Sequence, residues 1–243
     1  MKLESKEKCV DMKSNAIESS HWKCKMPLTS VTSSKPIHKA VTAAVLASVL
    51  ALSNVCNAKA ANWAIEVMNS SESTVVDTNV TGRLTSHAGI FARNITTTWK
   101  DNRVSAFSLV DLSYGISKNV NAVVETQFID KLGISPRPGL QLNANVKDSL
   151  SIFLMATAGL KLKDAELVVL LQHRLSIAKG ISWVNQVEAV TNVGPSDYNF
   201  SVQKLRSGLQ KDKFTVGVAT DLSETNSSTE IKHSVGLFCS IRF

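Results

Sequence analysis

The sequence predicts an all-β protein: a closed, antiparallel, up-and-down barrel of about ten strands that spans a membrane, with twelve strands as the alternative. Three observations predict it. From about residue 83 to the C-terminus, apolar and polar residues alternate with a period of two, and no long stretch has a helical period. Many of the runs reach ten to thirteen residues, a length that suits a tilted strand crossing a bilayer. The connections between them are tight on one side and mostly longer on the other.

The first 60 residues predict a leader that contains a cleaved secretory signal peptide. They carry nine Lys or Arg and four Asp or Glu, so +5 of the net charge of +7 lies there. The remainder is close to neutral, which argues against a nucleic-acid partner. Lys39 precedes a short apolar core at 43–52, and Ala58 and Ala60 follow in small-x-small spacing, so we expect cleavage near Ala60–Ala61. An uncleaved membrane anchor is the alternative, and polar residues within the uncharged span weaken it.

The cysteines and the segment after the leader complete the domain plan. Cys9, Cys24 and Cys56 leave with the leader, so we expect no intramolecular disulfide in the mature chain, which retains Cys239. Segment 61–82 is either a periplasmic lead-in or one more hairpin, and the hairpin gives the count of twelve strands. Residues 83–243 are predicted to form the barrel itself.

Ten alternating runs predict the strands of that barrel. They cover residues 84–99, 104–116, 120–129, 140–147, 150–162, 165–177, 181–193, 198–209, 213–222 and 231–243. The run 84–99 is the least regular. Lys204 and Arg206 fall on the apolar face of the run 198–209, where a β-bulge or snorkelling toward lipid headgroups would accommodate them. A soluble β-sandwich is the alternative fold, but its strands are shorter and its loops more even.

The connections differ between the two ends of the predicted barrel. If the C-terminus is periplasmic, the tight turns 117–119, 147–149, 178–180 and 210–213 lie on that side. The two largest connections on the other side, 130–139 and 223–230, are polar or contain Pro and Gly. Short periplasmic turns with longer outer loops are typical of transmembrane barrels.

The chain ends in HSVGLFCSIRF, and alternate residues stay apolar to the last position. They are Val235, Leu237, Cys239, Ile241 and Phe243. This ending resembles the C-terminal signature of bacterial outer-membrane β-barrel proteins, and the hairpin LSYGISKNVNAVVETQF (112–128) is similar to those of transporter-type barrels. The resemblance covers roughly residues 83–243 at the level of class. It implies a Gram-negative outer membrane, contact with its lipid, and recognition of the five terminal residues by the barrel-assembly machinery.

Because side chains alternate between the two faces of a strand, the predicted strands place a set of charged side chains in the lumen. Across the tight turn at 117–119, Asp111 lies opposite Glu125. Two adjacent carboxylates ionise together only with a nearby cation, for which Arg93 is the candidate; without one, the pKa of one carboxyl group rises. The lumen-lining candidates are Arg93, Asp111, Glu125, Lys147, Arg174 and Glu188. Inward apolar residues such as Phe153 and Leu170 predict a partly packed interior rather than a wide pore. The alternative is that the charged groups satisfy one another and fill a small barrel.

These features predict a narrow channel or transporter for a small polar or amphipathic solute. The sequence shows no nucleophile-base constellation, no metal-ligand spacing and no phosphate-binding glycine loop, so we expect neither an enzyme nor a cofactor. The alternative function is a non-conducting structural or surface-interaction barrel, which would bind a partner through the outer loops 130–139 and 223–230.

Overall fold

The computed structural model describes residues 61–129, 133–160, 163–194, 198–226 and 228–243, and the predicted leader lies outside them. Twelve antiparallel strands account for most of these residues. They are β1 (Asn62–Ser70), β2 (Ser73–Arg83), β3 (Ala88–Trp99), β4 (Val104–Gly115), β5 (Val120–Ile129), β6 (Gly133–Lys147), β7 (Leu150–Ala158), β8 (Ala165–Ala178), β9 (Ile181–Val193), β10 (Tyr198–Lys211), β11 (Phe214–Thr225) and β12 (Ser228–Arg242). No helix in this part of the chain is long and apolar enough to cross a membrane.

The strands form one closed ring in which each strand pairs with its neighbours in the sequence. β12 closes the ring by pairing with β1, from Ala64 opposite Arg242 to Ser70 opposite Gly236. The backbone N–H of Phe243 donates to the carbonyl of Trp63 at 2.9 Å, which extends the closure to the last residue. The predicted all-β, up-and-down, closed barrel is therefore confirmed.

The structure decides the strand count in favour of twelve, because segment 61–82 forms the hairpin of β1 and β2. Its turn is held by Ser70, whose hydroxyl accepts hydrogen bonds from the N–H groups of Glu72 and Ser73 at 3.2 and 3.0 Å. Val and Thr occur on both faces of β2, so the period of two is weak in the sequence alone. Hydrogen-bonded pairing with β1 and β3 establishes that this segment is a strand, which the sequence pattern alone left undecided.

The prediction of long outer loops at 130–139 and 223–230 is wrong in extent. Residues 133–139 belong to β6, and much of 223–230 belongs to β11 and β12. β6 pairs with β7 only from Gly139 onward, so Pro136 and Pro138 lie where β6 has β5 alone as a neighbour. Proline is tolerated in such a half-paired segment because its missing N–H breaks no ladder. Turn-forming composition therefore concealed a strand.

The outer face of the barrel is apolar over much of its height. Large exposed hydrophobic side chains on this face include Leu112, Val124, Phe128, Leu140, Leu167, Leu171, Leu175, Val187, Leu205, Leu209, Val216, Val218, Val235 and Leu237. Four exposed aromatic residues lie near the barrel end that carries the C-terminus, namely Tyr114, Trp183, Phe214 and Phe243. An apolar band with an aromatic girdle is the surface that hydrocarbon and its interface favour. Cys239 is a free, exposed thiol on the same outer face.

Lys204 and Arg206 point into the lumen, contrary to their predicted place on the apolar face. Lys204 lies opposite Glu188 and Arg206 lies opposite Gln186, both inward positions of β9. The register shift in β10 occurs between Tyr198 and Phe200, ahead of the position where a bulge was expected. The outward residues of β10 include Ser and Gln as well as leucines, so hydropathy alone does not show which face of this strand meets lipid.

One side of the lumen is packed with apolar side chains, and they differ from the inward residues, such as Phe153 and Leu170, that the sequence indicated. Met68, Ala219 and Phe238 form a buried cluster against which Val75 packs. Beside it, Gly208 and Gly217 lie directly opposite each other on β10 and β11. A Cβ at Gly217 would overlap the carbonyl of Ser207 and approach Gly208 Cα to 2.5 Å. This close approach of backbone requires glycine.

A closed barrel resists detergent until it is heated, because its hydrogen-bonded ring has no free edge from which to unfold. We therefore expect unboiled protein to migrate differently from boiled protein on a detergent gel. Identical migration of a sample that circular dichroism shows to be β-rich would contradict the closed barrel.

The substitution Gly217→Ala should lower the free energy of unfolding by about 1–3 kcal/mol, because the new methyl group meets backbone that cannot move aside. Gly115→Ala is the matched control, since the nearest atom to its Cβ would be 3.6 Å away. Urea titrations in detergent, followed by tryptophan fluorescence, measure both. Equal effects of the two substitutions would argue against the crowding.

Candidate functional site

Arg93 joins opposite walls of the barrel. It projects from β3, and its partners are Asp77 on the adjacent β2 and Glu188 on β9, six strands away in the ring of twelve. Nη1 and Nη2 donate to Glu188 Oε1 and Oε2 at 2.6 and 3.0 Å. Nε donates to both Asp77 oxygens at 3.0 and 3.1 Å, and Nη2 donates to Oδ2 at 2.6 Å. One guanidinium therefore makes paired hydrogen bonds with two carboxylates.

This arrangement places an ionic bar across the lumen. The side chains of Asp77 and Glu188 are 9% and 7% exposed, and that of Arg93 is 18% exposed. The planar guanidinium fits carboxylates on two sides at once, which a lysine ammonium does not do. Any solute that moves along the barrel axis meets this bar.

Two further cations of β10 extend the network. Lys204 Nζ lies 3.4 Å from Asp77 Oδ2. Arg206 donates to Glu66 on β1 at 2.7 Å and to Asp221 on β11 at 2.6 Å. Three cations and four carboxylates thus compensate one another around the middle of the barrel, and we call them the central network.

A polar cavity adjoins the central network. Its volume is about 80 Å³, room for two or three water molecules at their liquid volume. The lining residues are Ala64, Glu66, Asp77, Asn79, Arg93, Gln186, Glu188, Lys204, Arg206, Ser240 and Arg242. The described lumen therefore contains a small hydrophilic chamber beside the bar.

A second group of charges, which we call the outer acidic cluster, extends from the interior of β4 and β5 to the β7–β8 connection at the barrel end remote from the C-terminus. It consists of Asp111 (β4), Glu125 (β5), Asp164 (the β7–β8 connection) and Glu166 (β8), with Arg137 (β6) among them. Arg137 Nη1 donates to Asp164 Oδ2, and its Nε lies 3.7 Å from Glu125 Oε1. Gln127 Nε2 donates to Glu125 on the same strand at 2.9 Å and to Glu166 at 3.0 Å, which links β5 with β8.

The structure places the predicted lumen residues in four settings. Arg93 and Glu188 meet in the central network, and Asp111 and Glu125 lie directly opposite each other in the outer acidic cluster. Arg174 points inward opposite Val184 and is exposed. Lys147 is exposed at the end of β6, where a register shift pairs it with the outward Leu150. The transport roles assigned to these residues stay predictions.

The expected pairing of Arg93 with Asp111 is wrong. Arg93 lies opposite Leu109 on β4, and Phe91 is the residue opposite Asp111. The guanidinium instead reaches Asp77 and the far wall, because β2 supplies a carboxylate on its other side. This carboxylate belongs to the hairpin that the count of ten strands omitted.

Sequence reasoning missed several groups of the site. Asp77 and Glu66 lie in the segment 61–82, which was read as a lead-in or an extra hairpin, and Arg137 lies within the expected loop 130–139. Lys204 and Arg206 were assigned to the wrong face. A signal was present: charged residues in a membrane strand almost always face the interior.

Within the described ranges, no group of three or more His, Cys, Asp or Glu side chains is arranged to hold a metal ion. Most carboxylates of the two clusters instead accept hydrogen bonds from guanidinium, ammonium or amide groups.

The closed antiparallel ring, apolar outside and ionic inside, defines an outer-membrane-type β-barrel. No protein-family model matches the chain. No curated protein matches it either.

Among solved structures, the chain is similar to the porin KdgM, with 14% sequence identity and a TM-score of 0.47, covering 75% of this chain and 98% of that one. It is also similar to the porin NanC, with 12% identity and a TM-score of 0.48, over 75% and 99% of the two chains. A bacterial polysaccharide outer membrane secretin aligns at 9% identity and a TM-score of 0.40, over 76% and 98%.

The substitution Arg93→Gln should lower the free energy of unfolding by about 3–5 kcal/mol, because it leaves two buried carboxylates without their shared partner. Adding Glu188→Gln should restore part of this loss, since one of the two stranded charges is then removed. Urea unfolding of the single and double variants measures both effects.

Arg103→Gln is the matched control for this prediction. Arg103 pairs with Asp101 at 2.5 Å in an outer turn, where the two side chains are 39% and 53% exposed. Its loss should cost about 1 kcal/mol or less. If Arg93→Gln costs no more than Arg103→Gln, the bar across the lumen does not stabilise the barrel.

Proposed function

We propose that this protein is a narrow outer-membrane channel for a small polar solute, with its constriction at Arg93. The observation that carries the proposal is the ionic bar from Arg93 to Glu188, which crosses the lumen beside a hydrophilic cavity. The channel is narrow because the bar and the apolar cluster around Phe238 occupy much of the interior.

The energetics of the lumen support a channel over a purely structural barrel. Buried ion pairs cost desolvation, and well-packed apolar side chains of similar volume commonly stabilise a protein as well or better. This barrel buries Asp77, Asp111, Glu125, Glu166 and Glu188, each with at most 7% of the surface of the whole residue exposed. Ionisable groups inside a membrane protein mark solute or ion pathways. A polar path through the barrel accounts for their presence.

The size of the ring supports a narrow passage. Eight-stranded barrels are filled by their own side chains, and sixteen strands are needed for a wide aqueous channel. Twelve strands fall between these limits, and large side chains such as Met155, Val184 and Phe238 narrow the interior further. A general diffusion pore is therefore outside the proposal, and so is a catalytic role.

The alternative of a surface-interaction barrel depended on the outer loops 130–139 and 223–230. Much of both segments belongs to strands, as the fold shows, so this alternative loses most of the surface on which it rested. The channel is the function that the described geometry favours.

The proposal includes the route to the membrane. The signal peptide predicted within residues 1–60 lies outside the described residues and would direct export. The barrel-assembly machinery would then read Val235, Leu237, Cys239, Ile241 and Phe243. These residues support that role because they share the outward face of β12, the strand that closes the ring.

Planar-bilayer recording tests the channel. The wild type should give a small, reproducible single-channel current. The neutral double variant Arg93→Gln/Glu188→Gln should raise it roughly twofold or more, because neutral and shorter side chains hold the constriction less tightly. Arg103→Gln, outside the lumen, should leave the current unchanged.

Heat-modifiability on a gel establishes that each sample is folded. Silent bilayers with folded wild type and folded double variant would refute the channel. A current that the double variant leaves unaltered would remove Arg93 as the constriction.

A further inference from the structure

The outer acidic cluster has more negative charge than its single arginine can compensate. Both ionic contacts that involve the cluster within the described chain go to Arg137, one from Asp164 and one from Glu125. Four carboxylates and one guanidinium give a net charge of −3 when all are ionised. Lys163, in the same outer connection, is exposed, so water screens its charge.

Two buried carboxylate oxygens in the cluster lack a hydrogen-bond donor among the described groups. They are Oδ1 of Asp111 and Oε2 of Glu125. Asp111 is 4% exposed and Glu125 is 0% exposed, and the two residues lie directly opposite each other on the lumen face. A buried acceptor without a partner costs the full desolvation free energy of the group. These oxygens are therefore poised to accept a positive ligand.

Neutral donors fix the remaining carboxylate without compensating its charge. Gln127 donates to Glu166 Oε1 at 3.0 Å, and Asn192 donates to its Oε2 at 3.2 Å. Glu166 also interacts electrostatically with both Asp111 and Glu125.

The rest of the lumen does not reverse this sign. The central network contains three cations and four carboxylates, joined in two separate groups of ion pairs. Arg242 lines the cavity beside this network and adds a fourth cation there, and Arg174 lies toward the other end and is exposed, where solvent screens it. The strongest uncompensated field within the described lumen is therefore that of the outer acidic cluster.

We infer that the negative potential of the outer acidic cluster makes the barrel selective for monovalent cations, such as K⁺ or a primary ammonium group. The inference rests on the proposed channel and names the class of solute that it passes. A tightly chelated metal is not the ligand, because the described acidic groups are not arranged to hold a metal ion. Carbonyl or carboxylate oxygens in a narrow passage can replace part of a cation's hydration shell while still releasing it.

The reversal potential across a planar bilayer with a tenfold KCl gradient tests the inference. The wild type should show a permeability ratio of K⁺ to Cl⁻ of about ten, the lower end of the enrichment expected in a charge-lined cleft. Asp111→Asn/Glu125→Gln should bring this ratio close to one while the channel stays open. Asp101→Asn is the matched control, since that carboxylate is exposed in an outer turn.

The outcomes separate the inference from the function on which it rests. Absence of current from heat-modifiable wild type refutes the channel. A current whose ratio is near or below one overturns cation selectivity alone. A ratio that the double variant leaves unchanged also overturns cation selectivity, because it would show that both carboxyl groups are protonated and uncharged in the wild type. If the double variant does not fold, Asp111→Asn gives the same test, since its Oδ1 accepts no hydrogen bond.

Discussion

The structure depends on one constraint: backbone N–H and C=O groups in hydrocarbon must be paired, so a sheet there must close. β1 and β12 satisfy it by pairing from Ala64 with Arg242 to Ser70 with Gly236, and Phe243 and Trp63 continue the ladder. Closure explains why the last strand keeps an apolar outer face to its final residue. It also explains the two-faced strands, since each one separates lipid from lumen.

Closure also creates the electrostatic problem that the lumen resolves. The ring brings charges from strands far apart in the sequence into a small space of low polarity, where unpaired charges are expensive. The central network resolves this by mutual pairing, with Arg93 shared between Asp77 and Glu188. The outer acidic cluster resolves it only in part, because Arg137 is shared among more carboxylates than it can compensate. This difference in compensation is what distinguishes a structural contact from a candidate solute site.

The sequence by itself determined the class of fold, because alternation with a period of two assigns each residue of a long strand to lipid or lumen whatever its partner is. It also determined local pairs across tight turns, such as Asp111 with Glu125, because a short turn fixes the register. In β2 and β10 the alternation of apolar and polar residues is weak. The sequence therefore determined neither the presence of the β1–β2 hairpin nor the face of β10 that points into the lumen. Only the tertiary structure decided that Arg93 contacts Glu188 and that it does not pair with Asp111. That contact joins residues 95 positions apart, and it exists because the ring closes with twelve strands and sets β3 opposite β9.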